Sequence, residues 1–94
     1  MDAVWVRTQD DILIRADSIV VIESTQSGLR AECITGRVVQ LTGSACDSAF
    51  QLALLEEIRR AGADERRATV VMPTNENDSP SWRREYVDTL IGHL

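Results

Sequence analysis

Few residues in this 94-residue chain have the types and spacing that chemistry requires. His93 is the sole histidine and stands next to the C-terminal residue, where chain ends fray. A histidine-based triad or a histidine-rich metal site would have to be built around it, and it reads instead as a solvent-exposed bystander. Carboxylates are adjacent at Asp10-Asp11, Glu56-Glu57 and Asp64-Glu65. General acid–base catalysis needs carboxylates in a dry cleft that perturbs their pKa, whereas these pairs fall in turns and on solvated helix positions. Cys33 and Cys46 match no paired-thiol or zinc spacing and read as buried free thiols, with a disulfide between them the lesser alternative. The five glycines are scattered singly, so no phosphate-cradling loop is present. The sequence therefore assigns no catalytic residue, no cofactor or cofactor-binding residue and no metal ligand.

The arginines are the most suggestive charges. Six of the ten come as the doublets Arg59-Arg60, Arg66-Arg67 and Arg83-Arg84. Gathered on one side, they could grip a phosphate or carboxylate. Interleaved Glu56, Glu57, Asp64, Glu65 and Glu85 would instead hold them in local ion pairs. Net charge is −5 and all ten basic residues are arginine. That balance disfavours broad binding to nucleic acid or an acidic membrane, which needs clustered positive charge. It suits a basic protein partner, or solubility alone.

The N-terminus, MDAVWVRTQDD, has neither the basic nor the apolar part of a leader peptide. No apolar run approaches the length that spans a bilayer, so no membrane role and a cytoplasmic location are the default expectations. An apolar fraction of 44% in a chain of this size suits one small domain with an adequate core.

The stretch Ser44 to Ala61 predicts the main amphipathic helix. Ser44 and Asp47 form a capping box, Arg59 and Arg60 sit at the negative end of the helix dipole, and Gly62 provides a stop. Cys46, Phe50, Ala53, Leu54, Ile58 and Ala61 make its apolar stripe. At about 100° per residue, Leu52 and Leu55 fall on the opposite side as a smaller second face.

Ala3–Arg7 and Asp11–Arg15 read as a hairpin around Thr8-Gln9-Asp10, with Val6 facing Ile12, Val4 facing Ile14, Trp5 facing Leu13 and Arg7 facing Asp11. Ile19–Glu23 is a third strand whose apolar run suggests a central place, followed by a polar turn segment to Gly28. Leu29–Cys33 alternates cleanly and pairs with Arg37–Thr42 across Ile34-Thr35-Gly36, setting Ala31 against Val39, Leu29 against Leu41 and Arg30 against Gln40. After the helix, Ala68–Met72 has strand composition and Pro73 ends it. Thr74–Ser79 reads as a polar linker, and Ser79-Pro80 caps a terminal helix with Trp82, Tyr86, Val87, Leu90, Ile91 and Leu94 on its apolar side.

The run Trp5-Val6-Arg7-Thr8-Gln9-Asp10 resembles a group of small bacterial and phage proteins that begin with W-[IV]-R-[ST]-Q-[DN] and continue as a strand meander plus one helix. The resemblance covers residues 3 to 61 and implies the fold only, since that group has no assigned activity. A fainter likeness, carried by ADSIVVIES, is to LytTR-type DNA-binding domains. Those read DNA with basic loops that this acidic chain largely lacks, so nucleic acid is not the expected partner.

The expected fold is α+β: an antiparallel meander of five to six strands covered by one long amphipathic helix, plus a C-terminal helix. The expected division is a core domain at 1–72, a linker at 73–79 and the terminal helix at 80–94. The leading functional expectation is a non-enzymatic protein–protein interaction module. It would bind another protein or a second copy of itself through its helices and sheet edge, with Leu52, Leu55, Trp82, Tyr86, Leu90 and Ile91 as interaction candidates. The alternatives are a nucleic-acid-binding or regulatory domain using Arg59, Arg60, Arg66, Arg67, Arg83 and Arg84, and a small enzyme or pocket revealed by two titratable groups converging in one apolar cavity.

Overall fold

The computed structural model describes residues 4–43, 48–63, 68–76 and 79–92. Strands β1 (Val4–Arg7) and β2 (Leu13–Arg15) form an antiparallel hairpin. A 3₁₀ turn at Ala16–Ser18 leads to β3 (Ile19–Thr25), β4 (Gly28–Cys33) and β5 (Val38–Gln40). Helix α1 (Ser48–Ala63), β6 (Thr69–Glu76), β7 (Ser79–Tyr86) and the short helix α2 (Val87–Ile91) complete the chain.

The architecture is α+β, but its strands lie in two sheets and not in one meander. One sheet runs β2-β1-β6-β7 and the other β3-β4-β5. Strand β6 enters the first sheet in its middle, parallel to β1 with Val6 beside Val71 and antiparallel to β7 with Val71 beside Arg84. Its Val70, Val71 and Met72 are all buried, as a strand with neighbours on both sides requires.

Local turn chemistry gives the β4–β5 hairpin its expected form. Gly36 takes the left-handed position at φ 89°, and the Gly36 N–H donates to the Cys33 carbonyl at 2.8 Å. The three-residue loop therefore sets the β4–β5 register: Ala31 faces Val39 and Arg30 faces Gln40. Leu29, Ala31, Cys33, Val39 and Leu41 point into the core, where Cys33 is a buried free thiol; Cys46 lies outside the described residues.

Within these elements the structure departs from expectation in register, order and extent. The first hairpin is displaced by two residues, so Val6 faces Ile14 and Trp5 faces Arg15. The reason is a longer loop, in which Asp11 adopts φ 65° and the Thr8 hydroxyl accepts the Ile12 N–H at 3.0 Å. A shift of two keeps each side chain on its face. The Arg7–Asp11 pair survives as an ion pair at 2.7 Å across the loop. Second, β3 is the outer strand of its sheet. Its register slips between Ile19 and Val21, leaving Val20 and Val21 both exposed. Third, Gly62 does not stop α1, which runs on to Ala63; the expected cap at Ser44 and Asp47 lies outside the described residues. Fourth, the described residues of the expected linker, 73–76 and 79, are strand, and 80–86 is strand and not helix. Strands β6 and β7 pair antiparallel from Thr69–Tyr86 to Glu76–Ser79, and among the described residues of the expected helix only Val87–Ile91 turns helical.

The helix and both sheets share one core. Phe50, Leu54 and Ala61 of α1 meet Val6, Ile14, Val71 and Trp82 of the first sheet and the inner residues of the second; Ala53, expected in this stripe, is exposed. Trp82 is not the opening of a terminal helix but a buried strand residue. Its ring stacks on Phe50 at 4.7 Å and its indole N–H donates to the Phe50 carbonyl at 3.0 Å. Such a stack contributes about 1 kcal/mol beyond its burial.

The β3–β4 turn is tied to β5 by close approach. Gly28 sits at φ 127°, and a Cβ there would overlap the Thr42 carbonyl. Gly28→Ala is expected to cost about 3 kcal/mol, through strain and displacement of Thr42. Chemical denaturation measures this, and a loss below about 1 kcal/mol would show that the turn relaxes freely.

Candidate functional site

The second face of α1 meets no covering layer among the described residues. Leu52 is 63% exposed and Leu55 49% exposed. On the other side of a groove of about 470 Å³ lie Ile19, Val20, Val21 and Ile22 of β3, with Val20 58% and Val21 42% exposed. These four exposed side chains are contiguous with half-buried Ile58 and Ile22. The groove exists because α1 turns its larger stripe to the core while β3, displaced by its register slip, leaves two valines outside.

The β3 edge is not bare. The Gln51 side-chain amide donates to the Ile22 carbonyl at 2.8 Å. That carbonyl points away from β4 and would otherwise be open to a strand from another chain. The groove therefore offers apolar side chains to a visitor and withholds a backbone acceptor.

The other interaction candidates are dispersed. Trp82 is buried in the core, Tyr86 and Leu90 are half-buried, and Ile91 is exposed on α2, which packs against β7. Among the described residues none of them covers Leu52 and Leu55, which line an open groove.

The arginine doublets are laced with carboxylates. Arg59 binds Glu56 through Nε at 3.0 Å and Nη2 at 2.6 Å. Arg60 reaches Glu56 at 3.1 Å and Glu57 at 3.5 Å. Arg84 crosses from β7 to Glu57 at 2.7 Å. Strand parity puts Arg83 on the opposite face, where it pairs with Glu85 at 3.2 Å and touches the Met72 sulfur at 3.8 Å. The structure thus gathers Arg59, Arg60 and Arg84 around Glu56 and Glu57 but separates Arg83 from Arg84. Arg66, Arg67 and His93 lie outside the described residues.

A second cleft of about 370 Å³ lies beside the first hairpin, with Phe50, Met72, Pro73 and Pro80 among its walls and the Arg7–Asp11 ion pair at its rim. The two titratable groups are spent on each other, with Asp11 largely in solvent and Arg7 partly buried. Gln9 joins this hairpin to the second sheet, its N–H donating to the Leu41 carbonyl at 3.0 Å and its Oε1 accepting the Gly43 N–H at 2.6 Å. Thr8 is buried and bonded within the loop. The polar residues Arg7, Thr8 and Gln9 are thus occupied with holding the loop. Among the described residues, no group of three or more His, Cys, Asp or Glu could hold a metal ion, and no helix is long and apolar enough to cross a membrane.

Hydrogen bonds from Arg59 are the largest influence on Glu56 and, with Arg60, hold its pKa well below the usual carboxylate range, at about 2. A depressed carboxylate stabilises the fold above its unfolded pKa, and this is lost as pH falls through the folded value. The window therefore runs from the usual carboxylate range down to about 2. The site is exposed, so the stabilisation is modest and salt-sensitive. NMR titration should find Glu56 still ionised where ordinary glutamates are half-protonated. Arg59→Ala should raise its midpoint; an ordinary midpoint in the intact protein would show that the pair does not persist in solution.

No protein-family model matches this chain, and neither the curated proteins nor the solved structures compared with it gave a match.

Proposed function

We propose that this chain is a non-enzymatic interaction module that receives an apolar segment of another protein in the groove between β3 and α1. The observation that carries the reading is the group Val20, Val21, Leu52 and Leu55, large apolar side chains exposed side by side on two elements. Scattered surface leucines are ordinary, but contiguous apolar surface around a concavity is the usual mark of a docking site. With Gln51 holding the Ile22 carbonyl, side chains filling the groove supply the affinity, as in helix-in-groove recognition.

The net charge of −5 favours a partner segment with basic residues flanking its apolar anchors. The alternative reading, nucleic-acid binding through the arginines, loses support from the ion pairs that hold Arg59, Arg60, Arg83 and Arg84.

Peptide libraries displayed against the purified chain provide the test. Selection is expected to enrich sequences with apolar anchors beside lysine or arginine. Leu52→Asp with Leu55→Asp is expected to weaken the selected peptides at least about tenfold, since each buried leucine contributes about 1.5–3 kcal/mol. The melting temperature should stay nearly unchanged, because both side chains are exposed. Enrichment of nothing, or of peptides indifferent to the double substitution, would overturn the proposal.

A further inference from the structure

Strand β7 is the outermost strand of the four-stranded sheet, and its backbone polarity can be worked out. The Val87 N–H donates to the Ala68 carbonyl at 3.0 Å, directly in line with the Thr69–Tyr86 pair. Bonded and non-bonded pairs alternate along an antiparallel ladder. Val70–Glu85 and Met72–Arg83 therefore exchange hydrogen bonds, and the N–H and C=O of Trp82 and Arg84 point away from β6 toward the free edge. Pro80 belongs to the same outward set, so its missing N–H costs the ladder nothing.

The side chains along this edge are complementary to themselves. Arg83 and Glu85 flank Arg84 on the face opposite Trp82. If a second copy of β7 lies antiparallel with its Arg84 opposite Arg84, then Arg83 of each chain faces Glu85 of the other. The Arg83–Glu85 pair of each chain, 3.2 Å apart, then joins that of the other in a four-charge cluster with two cross-strand ion pairs around the two-fold axis. Moving the register by two residues places Arg83 opposite another Arg83 or opposite Val87, and both pairs are lost. The facing Arg84 side chains each carry their own counter-ion, Glu57 at 2.7 Å.

We infer that two copies of this chain join through β7 edges, antiparallel about Arg84, into a continuous eight-stranded sheet. The contact is isologous, as a closed dimer requires, and the Arg84 N–H and C=O of each copy exchange hydrogen bonds with those of the other. It involves neither β3 nor Leu52 and Leu55, so it stands independently of the proposed groove. The opposing reading of the same residues is edge protection, in which charges and a proline keep other strands away.

Sedimentation equilibrium on the full chain separates the two. The wild type is expected to dimerise reversibly in the micromolar range. Arg83→Glu and Glu85→Arg should each weaken the dimer about tenfold, since both cross-strand pairs become repulsive. Mixing these two variants should restore association as a heterodimer. The introduced glutamate of one variant then faces the introduced arginine of the other, and the native Arg83 and Glu85 that remain also face each other. The double exchange Arg83→Glu with Glu85→Arg keeps both charges in one chain, controls for folding, and should dimerise like wild type. A monomeric wild type at high micromolar concentration would establish edge protection and overturn the inference. So would a dimer indifferent to the single exchanges, a mixture that stays monomeric, or a double exchange that fails to associate.

Discussion

The constraint on which this fold depends is the parallel pairing of β1 with β6. Val6 and Val71 stand side by side in that pairing, each fully buried. The pairing joins the start of the chain to a strand that lies beyond β2, the entire second sheet and α1. Parallel neighbours need a long connection, and here the connection carries much of the core itself. Once β6 is inserted, β7 becomes an edge and α1 is held against the sheet by Trp82 on Phe50. Closing so long a loop costs chain entropy that local contacts cannot recover, so burial on both faces of β6 must offset it.

The two open surfaces arise from that arrangement and differ in kind. Between β3 and α1 the exposed groups are apolar side chains, and the Ile22 carbonyl is engaged by Gln51. Along β7 the backbone N–H and C=O of Arg84 point away from β6, framed by arginine and glutamate. One surface suits hydrophobic anchors and the other a strand of matched charge. Arg59, Arg60 and Arg83 form the local carboxylate pairs that their interleaved glutamates suggest, and α1, lying across β7, brings Glu57 to Arg84.

Part of this is legible residue by residue. The β4–β5 hairpin can be read in its true register because Gly36 fixes the loop and the faces alternate without ambiguity. The reverse-side position of Leu52 and Leu55 comes from helical geometry alone, and their exposure makes them part of the candidate site. The terminal segment misleads for a physical reason. Trp82 and Tyr86 are four apart, which places them together both on a helix and on one face of a strand. Ser79-Pro80 is a good helix start and also a tolerable edge-strand sequence. The Ile19–Ile22 run signals burial on two faces, but the register slip turns two of its valines outward.

By itself, the sequence determined the α+β class, the two-faced helix, the β4–β5 register and the acidic, arginine-only charge pattern. Each of these is fixed within a few residues by turn geometry, side-chain periodicity or composition. The tertiary structure alone decided which strands became neighbours, that Trp82 belongs to the core, and which edge and groove were left open. Those outcomes turn on competition among distant apolar strands of nearly equal local preference. Only the burial achieved by the whole assembled core decides between them.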